Sequence, residues 1–358
     1  MNIALSLAGI LLALFISEGT LRLVKPPSVF TSHIPCSYRT DAQIGYRYEP
    51  NGSGWLHKGF EIDNFVRFNS AGFHDTEHAP AGDGGVRIAV AGDSFTAALE
   101  VPTADTWTQV LQQTLRQAGY PALDVINLGL DGTGTDIHLT LLKDYLAKSP
   151  PDLVILAFFR NDISDMAYTP LFRACYRGYV LYFQNEGQKA ALKALVDGHG
   201  QRRLAAWLFK NSYAYRTLLY FSEGASNLFA NNYIGPYELG QSVQNSSPPD
   251  VDLLFQELAG LSQEYGFQLL ILPIPSKNDV NDSLLTLQQH LSTKTLAGLT
   301  ILDTASAMTR TLAANERTYA ELFWVNDGHF NADGNRIFGL AVAEMIRPYL
   351  EAQLSAER

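Results

Sequence analysis

Residues 88–96 read Ile-Ala-Val-Ala-Gly-Asp-Ser-Phe-Thr, and this stretch decides the fold. Its four apolar residues suit a strand that is buried on both faces, as strands of parallel sheets are. The polar residues after Gly92 mark the end of that strand and the start of a helix.

Apolar runs of the same kind recur along the chain, and helical patterns separate them. The sequence predicts further strands at 125–126, 153–159, 268–272 and 300–302, and helices at 104–117, 135–146, 251–265, 283–296 and 332–350. Alternating strands and helices predict an α/β fold with a parallel sheet that helices cover on both faces.

Ser94 lies directly after the first strand and before a helix. In open α/β sheets, ligands bind at the carboxyl ends of the strands, and the amides of a helix N-terminus favour a developing negative charge. Ser94 is therefore a candidate nucleophile. Asp, Ser and Thr also cap helices, so a purely structural role fits the same residues.

Three more polar segments follow strands or precede the last helix. Residues 127–134 hold glycines that let backbone N–H groups approach a ligand, and Asn161 offers a side-chain N–H. His329 is a candidate base, and Asp327 can fix its tautomer because Gly328 lets the loop fold back. Each segment alone also fits an ordinary turn or cap, but all four can meet at one edge of the sheet.

The order Gly-Asp-Ser, then Gly, then Asn-Asp, then Asp and His before the last helix resembles that of the SGNH/GDSL hydrolases, over about residues 87–348. The resemblance implies a three-layer αβα, flavodoxin-like domain. It implies Ser94 as nucleophile, His329 as base and Asp327 as acid. It also implies an oxyanion hole of Ser94, Gly132 and Asn161, with no cofactor and no metal.

The chain departs from the family pattern near these residues. Many members read Asp-x-x-His, a spacing that would put Asn326 at the acid position, whereas shorter Asp-x-His forms, similar to those of sugar acetylation enzymes, keep Asp327 there. Gly129 is an alternative to Gly132. Arg160 stands where many members carry Gly, and it either narrows the oxyanion pocket or adds positive charge near the substrate.

The function implied is that of a serine esterase. It would hydrolyse, or transfer, an acyl group of a carbohydrate or lipid ester through an acyl-enzyme. One alternative is an O-acyltransferase that modifies an exopolysaccharide. Another, favoured by the short acid spacing and by Arg160, is a membrane-tethered carbohydrate-binding or assembly protein with weak catalysis. Fold and triad do not fix the substrate.

Two other groups of polar residues carry weaker signals. His74, Glu77 and His78 lie within five residues but lack an evident fourth metal ligand, so we interpret them as a polar loop. Paired carboxylates can serve glycoside hydrolysis, but turns and caps explain equally well the acidic residues near the strand ends, Asp93, Asp131, Asp162 and Asp165.

Composition excludes some classes of function. The chain has 358 residues, is 46% hydrophobic and carries a formal charge of −10. Nucleic-acid binding depends on Lys and Arg against phosphates, so an acidic chain without a basic run is not expected to bind nucleic acid. The two cysteines, Cys36 and Cys175, are too few for a Cys-rich metal site. They pair if the domain leaves the cytoplasm, and otherwise are separate thiols.

We expect an N-terminal membrane anchor over residues 1–26. Residues 2–24 just reach the roughly 20 mostly apolar residues that a spanning helix needs. A cleaved signal peptide is the alternative, but no basic residue precedes the apolar run and no clear cleavage site follows it. Arg22 and Lys25 leave the orientation open. The expected location of the catalytic domain is outside the cytoplasm, on the periplasmic side, with an acylated polysaccharide or lipid as substrate.

The remaining segments complete the predicted organisation. A β-rich segment is expected over 28–85, because residues 60–68 alternate between apolar and polar, and it ends in a flexible joint at 79–85. The hydrolase domain is expected over 86–350. It is interrupted at about 165–249 by a helical insertion rich in aromatic residues, which is either a packed subdomain or a lid.

Overall fold

The computed structural model describes residues 2–24, 32–59, 61–78, 85–166, 171–198, 208, 212–221, 232–243, 247 and 249–356. The chain divides into two compact units. The accessory unit comprises Met1–Thr40, Ser53–Phe65 and Phe172–Val243. The sheet unit comprises Asp41–Gly52, Val66–Leu171 and Gln244–Arg358.

The described residues form strands and helices throughout. The strands are β1 (Ser32–His33), β2 (Tyr38–Asp41), β3 (Gly45–Tyr48), β4 (Ser53–Lys58), β5 (Ile62–Arg67), β6 (Arg87–Gly92), β7 (Asp124–Asn127), β8 (Leu153–Phe158), β9 (Phe172–Tyr176), β10 (Tyr179–Phe183), β11 (Tyr233–Ile234) and β12 (Gln268–Pro273). The helices are α1 (Asn2–Val24), α2 (Ser94–Ala97), α3 (Trp107–Gln117), α4 (Thr135–Leu146), α5 (Asp162–Asp165), α6 (Glu186–Gly198), α7 (Tyr213–Phe221), α8 (Val251–Tyr265), α9 (Asp282–His290), α10 (Thr293–Ala297), α11 (Thr304–Ala314) and α12 (Ala332–Ala356). Short 3-10 helices lie at Thr103–Asp105, Pro236–Leu239 and Tyr319–Leu322.

The sheet unit is built on a parallel sheet in the order β12-β8-β6-β7. The middle strand β6 places Val90 opposite Asn127 of β7 and opposite Ile155 of β8. A parallel bridge between Ile271 and Ile301 adds a fifth position beyond β12. If the five positions are numbered by their order in the chain and read across the sheet from β7, they run 2-1-3-4-5, which is the flavodoxin-like order.

Alternate residues of β6 enter two separate hydrophobic cores, one on each face of the sheet. Ile88 and Val90 pack in the cluster that contains α3 and α12, whereas Ala89 and Ala91 pack in the cluster that contains α4 and α8. Helices therefore cover both faces, and the predicted three-layer αβα fold is confirmed. One predicted helix, over 283–296, is two helices: α9 ends at His290, and Ser292 begins α10 as its cap by accepting a hydrogen bond from the Thr295 N–H.

The accessory unit contains two small sheets, β1-β4-β5 and β11-β10-β9. The second sheet lies in the insertion, which we predicted to be helical, and it is packed against α6. Its hairpin turns at Arg177-Gly178, where both residues have positive φ, 51° and 86°, as a type I′ turn requires. The helical spacing of aromatic residues farther along the insertion obscured the alternation in 179–183. The described part of the insertion is thus mixed α/β, and the stretch Phe172–Val243 belongs to the accessory unit.

A disulfide joins Cys36 to Cys175 within the accessory unit. The sequence left open whether these cysteines pair. The two cysteines are 139 residues apart in the sequence, so the bridge joins the N-terminal part of the unit to β9.

Helix α1 covers the segment that we predicted as a membrane anchor over 1–26. In the part of the chain that the structure describes, no helix is both long enough and apolar enough to cross a membrane. The anchor prediction is therefore not supported. Near its end α1 carries a charged pair, in which an Arg22 nitrogen lies 2.8 Å from Glu18 Oε1. Glu18 also accepts hydrogen bonds from the N–H groups of Tyr213 and Ala214 at the start of α7.

The predicted N-terminal segment over 28–85 is divided between the units. Residues 41–52 and those from 66 onward belong to the sheet unit, and only the remainder belongs to the accessory unit. Most of the predicted joint, 79–84, lies outside the described residues, as do Lys25, Trp207 and Phe209.

The contact between α12 and α3 yields a prediction for stability. A Cβ added at Gly339 of α12 would lie 2.7 Å from the Trp107 carbonyl oxygen and 2.8 Å from Val110 Cβ. We expect Gly339→Ala to lower the free energy of unfolding by about 1–3 kcal/mol, because the two helices must separate. Urea denaturation followed by circular dichroism measures it.

Gly260→Ala is the matched control, since Gly260 is an exposed helical glycine on α8 with nothing within 4 Å of an added Cβ. It should stabilise the protein by about 0.5–1 kcal/mol. Equal effects of the two substitutions would contradict the close contact.

Candidate active site

Ser94 stands where β6 meets α2. An added Cβ at Gly92 would lie only 2.2 Å from Thr96 Oγ1 and 2.9 Å from the Ala157 carbonyl oxygen, so only glycine allows this approach. Asp93 caps α2 by accepting the Phe95 N–H at 3.0 Å. The structural and catalytic interpretations of this motif are therefore compatible, because Asp93 is the cap and Ser94 is the first helical residue.

His329 lies in the loop before α12, beside the nucleophile candidate. Its Nε2 lies 2.8 Å from Ser94 Oγ, and its side chain is 21% exposed. The Asp327 carboxylate contacts His329 Nδ1. Gly328 has a φ of +90°, which folds the chain back between these residues. The Asp-x-His spacing thus suffices for contact, and the structure brings together Ser94, His329 and Asp327.

The loop after β7 lies close to the serine. A Cβ at Gly129 would lie 2.3 Å from the Ala97 nitrogen in α2, and one at Gly134 would lie 2.5 Å from the Asp162 carbonyl oxygen in α5. The loop is therefore wedged between the helix that starts with Ser94 and the helix that follows Asn161. The Gly129 N–H donates to Asn127 Oδ1 at 2.8 Å, which leaves Gly132 as the better candidate for an oxyanion amide.

Asn161 follows β8, which pairs with β6, and its side chain is oriented by a carboxyl group. Asn161 Nδ2 donates to Asp165 Oδ2 at 3.0 Å. One hydrogen of the amide is used in this way, and the second is available to a ligand because an amide NH₂ has two donors. The neighbouring Arg160 is half exposed, and its Nε lies 3.6 Å from Asp282 Oδ2.

Two of the acidic residues near the serine, Asp93 and Asp162, are fully buried. Burial raises the pKa of Asp93 to about 7, and Asp93 Oδ2 lies 3.4 Å from Ser94 Oγ. Burial, together with the nearby Asp93 and Asp165, also raises the pKa of Asp162 well above its usual range. His138, 3.7 Å from Asp162, stays neutral because burial lowers its pKa to about 3. These groups are structural, which argues against a glycoside hydrolase pair.

Glu100 is a further residue beside the imidazole that the sequence did not predict. Its Oε1 lies 3.8 Å from His329 Nδ1, and the side chain is buried. Glu100, Asp327 and His329 have donor atoms within 4.8 Å of one another, so this cluster is also compact enough to hold a cation. No local motif marks Glu100, since it follows a non-repetitive turn after α2, and only the three-dimensional structure brings it to the imidazole.

A second missed group supports α2 from behind. His74 Nδ1 lies 2.8 Å from the Ala97 carbonyl oxygen. Asp75 accepts the Asn127 N–H at 2.8 Å, and the Asn127 side chain donates to the Thr96 carbonyl at 2.8 Å. His74 and Asp75 are thus buried supports of α2 within the polar loop that we predicted. Among the described residues, His74, Glu77 and His78 do not form a cluster that could hold a metal ion. Glu77 instead binds Ser70.

Comparisons with known proteins agree with the segments that carry Ser94, Gly132 and Asn161. Residues 88–203 match the family model of the GDSL-like lipase/acylhydrolases. The match includes Ser94, Gly132 and Asn161 and ends before Asp327 and His329. No curated protein matches the chain.

Several solved structures resemble the chain weakly. A lipase/acylhydrolase from Enterococcus faecalis is 15% identical, with a TM-score of 0.36, and the match covers 74% of this chain and 96% of that one. The psychrotrophic esterase EstA from Pseudoalteromonas sp. is 12% identical, with a TM-score of 0.34 and coverage of 74% and 98%. The similarity to these structures is too weak to indicate a function, and the family model matches residues 88–203 alone.

The buried acid at position 93 yields a prediction for the dependence of stability on pH. Because the pKa of Asp93 is raised from 3.8 to about 7, the folded protein keeps a proton that the unfolded chain releases. The stability that this group contributes is full below about pH 4 and is lost as the pH rises through about 7. Asp93→Asn removes this titration while its amide oxygen keeps the cap. The free energy of unfolding of the variant, relative to wild type, should therefore increase from about pH 5 to pH 8.

Urea titrations at several pH values measure the difference. Asp105→Asn, at an exposed aspartate of the Thr103–Asp105 helix, is the control for the loss of one carboxyl group. Parallel curves for wild type and Asp93→Asn would show that Asp93 titrates normally.

Proposed function

We propose that this chain, which carries a GDSL-like lipase/acylhydrolase domain and is a hydrolase of ester bonds, acts through a covalent intermediate on Ser94. The observation that carries the proposal is the 2.8 Å contact between Ser94 Oγ and His329 Nε2. A serine hydroxyl at this distance from an imidazole can lose its proton as it attacks.

The proposed reaction has two steps. His329 takes the proton of Ser94 as Oγ attacks the ester carbonyl, and it then gives that proton to the departing alcohol, leaving an acyl-enzyme. Water, deprotonated by His329, then attacks the acyl carbon. The bond from that carbon to Oγ breaks, His329 returns the proton to Oγ, and the acid leaves, which restores both Ser94 and the neutral imidazole. Asp327 holds the imidazole tautomer with the hydrogen on Nδ1 and stabilises the imidazolium that forms.

The proposed oxyanion donors come from three strand ends. They are the N–H groups of Ser94 and Gly132 and the side chain of Asn161. The packing of Gly129 on α2 and of Gly134 on α5 supports this set, because it places the Gly132 loop between the other two donors. Donors fixed in advance at a developing negative charge are a major source of rate enhancement.

The substrate class proposed is an acyl ester of a carbohydrate or a lipid. The family description, lipase/acylhydrolase, supports esters of this general kind. Transfer of the acyl group to a sugar hydroxyl instead of water uses the same intermediate. An assay with an added sugar acceptor therefore distinguishes transfer from hydrolysis.

We expect Ser94→Ala to abolish hydrolysis of p-nitrophenyl acetate and longer p-nitrophenyl esters, with a loss of at least about 10³-fold in kcat/KM. Asp327→Ala should lose about 10²-fold or more, whereas Asn326→Ala should stay within a few-fold of wild type, because Asp327 contacts the imidazole. Release of p-nitrophenol measures all four proteins, and a sugar acceptor added to the assay reports transfer.

Ser262→Ala, on α8, is the control for serine replacement. Mass spectrometry after fluorophosphonate treatment should place the label on Ser94 alone. A wild type that hydrolyses no faster than Ser94→Ala and takes no label would refute the catalytic proposal and favour a binding role.

We further propose that the domain works outside the cytoplasm. The disulfide between Cys36 and Cys175 supports this location, since such bonds persist in oxidising compartments and are rare in reducing ones. Cells are quenched in acid to prevent thiol exchange, and the protein is then treated with a maleimide that labels free thiols. The mass of the protein should not increase unless the disulfide is first reduced. Cys36→Ala, which exposes the thiol of Cys175, is the positive control. Full labelling of wild type without reductant would place the protein in a reducing compartment.

A further inference from the structure

Two buried tyrosines of β3 contact the loop that carries Gly132. The Tyr46 hydroxyl lies 3.0 Å from the Gly132 carbonyl oxygen and also contacts the Asp131 carbonyl oxygen. The Tyr48 hydroxyl donates to Asp131 Oδ1 at 2.6 Å and accepts the Asp131 N–H at 3.0 Å. Both tyrosines come from residues 41–52, which lie well before the family match begins at residue 88.

The contact of Tyr46 fixes the direction of one particular N–H group. The Asp131 carbonyl and the Gly132 N–H belong to the same peptide unit, which is planar and trans, so the two groups point in opposite directions. A hydroxyl that holds the carbonyl on one side therefore aims the N–H on the other. Donation to the carbonyl also polarises the peptide and strengthens its N–H as a donor.

The fixed peptide includes a residue whose own backbone preferences do not hold it in place. Gly132 has a φ of +66°, a conformation that glycine enters freely and also leaves freely. Tyr48 holds the preceding residue through both its backbone N–H and its side chain. The two tyrosines thus restrain the loop on either side of the Asp131–Gly132 bond.

The tyrosines are themselves firmly held. Tyr46 is 2% exposed and Tyr48 is fully buried. The Tyr48 ring stacks on Phe68 with centroids 4.1 Å apart. Between them Arg47 pairs with Asp41 at 2.6 Å and also contacts Asp144 of α4. β3 is therefore a rigid support and not a loosely attached extension.

We propose that Tyr46 is a positioning residue that aims the Gly132 N–H at the oxyanion, with Tyr48 fixing the adjoining residue. This inference rests on the proposed function, because it assigns a role to groups in that same reaction. It makes residues 41–52 part of the catalytic apparatus of this protein.

The test compares Tyr46→Phe and Tyr48→Phe with wild type. Each change removes one hydroxyl and keeps the ring. Loss of a whole oxyanion donor costs about 10²–10³-fold in kcat, so a misaimed donor should cost about tenfold, with KM within about twofold. The affinity for a boronic acid, which forms a tetrahedral adduct with the serine, should fall by the same factor as kcat/KM. A merely structural role would not couple these two quantities.

Tyr145→Phe is the matched control, since this half-buried tyrosine of α4 has its hydroxyl beside Arg87, at the opposite end of β6 from Ser94. Its kcat should equal that of wild type. Ser94→Ala, run in parallel, separates the two proposals, because hydrolysis that does not depend on Ser94 refutes the proposed function itself. If hydrolysis depends on Ser94 but both tyrosine variants keep wild-type kcat and boronic acid affinity, the positioning role is overturned. Should Tyr46→Phe fail to fold, Tyr48→Phe decides in the same way.

Discussion

Residue 92 has no room for a side chain, and this constraint determines the geometry of the whole site. Because a Cβ there would come within 2.2 Å of Thr96 Oγ1 and 2.9 Å of the Ala157 carbonyl, β6 passes into α2 with no intervening loop. Ser94 is thereby held at the level where β7 and β8 end, and parallel pairing brings those ends to the same edge. The Leu130 N–H donates to the Gly92 carbonyl at 3.0 Å, so the alignment of β7 with β6 continues into the loop that carries Gly132.

Charge is distributed unequally around the serine and the histidine. Next to Ser94 the acid is Asp93, whose pKa burial raises to about 7, so near neutrality a large share of it is uncharged. An uncharged neighbour does not repel an oxyanion. On the far side of the imidazole lie the carboxyl groups of Asp327 and Glu100, where negative charge would stabilise the imidazolium of the proposed proton transfer. Negatively charged groups therefore lie beside the proposed base, whereas the acid next to the proposed nucleophile is partly uncharged near neutral pH.

Sequence patterns predicted the parts of the site that are encoded locally. Ser94, Gly132 and Asn161 each lie in the segment that follows a strand, within five residues of the strand's end, so the strand pattern located those segments. The contact of Asp327 with His329 also follows from a short motif, although it depends on the +90° φ of Gly328. Glu100, His74 and Tyr46 were not predictable, because each reaches its partner only through the tertiary fold, and no spacing in the chain distinguishes them from ordinary buried residues. The β9–β10 hairpin was missed for a different reason: its short alternation was outweighed by the helical spacing of aromatics later in the insertion.

The division of residues 28–85 between the two units has a physical rationale. An oxyanion hole must be organised before the reaction begins, since reorientation of its donors during reaction would forfeit the stabilisation. A glycine at a positive φ confers the required geometry but also the largest conformational freedom in the unfolded and loosely folded states. A loop of this kind therefore needs restraint from elsewhere in the molecule. The sheet itself supplies restraint only up to Leu130, through Gly92, and beyond that point the hydroxyls of Tyr46 and Tyr48 are bonded to the loop. Residues 41–52 accordingly pack in the sheet unit, which contains the loop of the proposed Gly132 donor, although in sequence they precede that loop by about 80 residues.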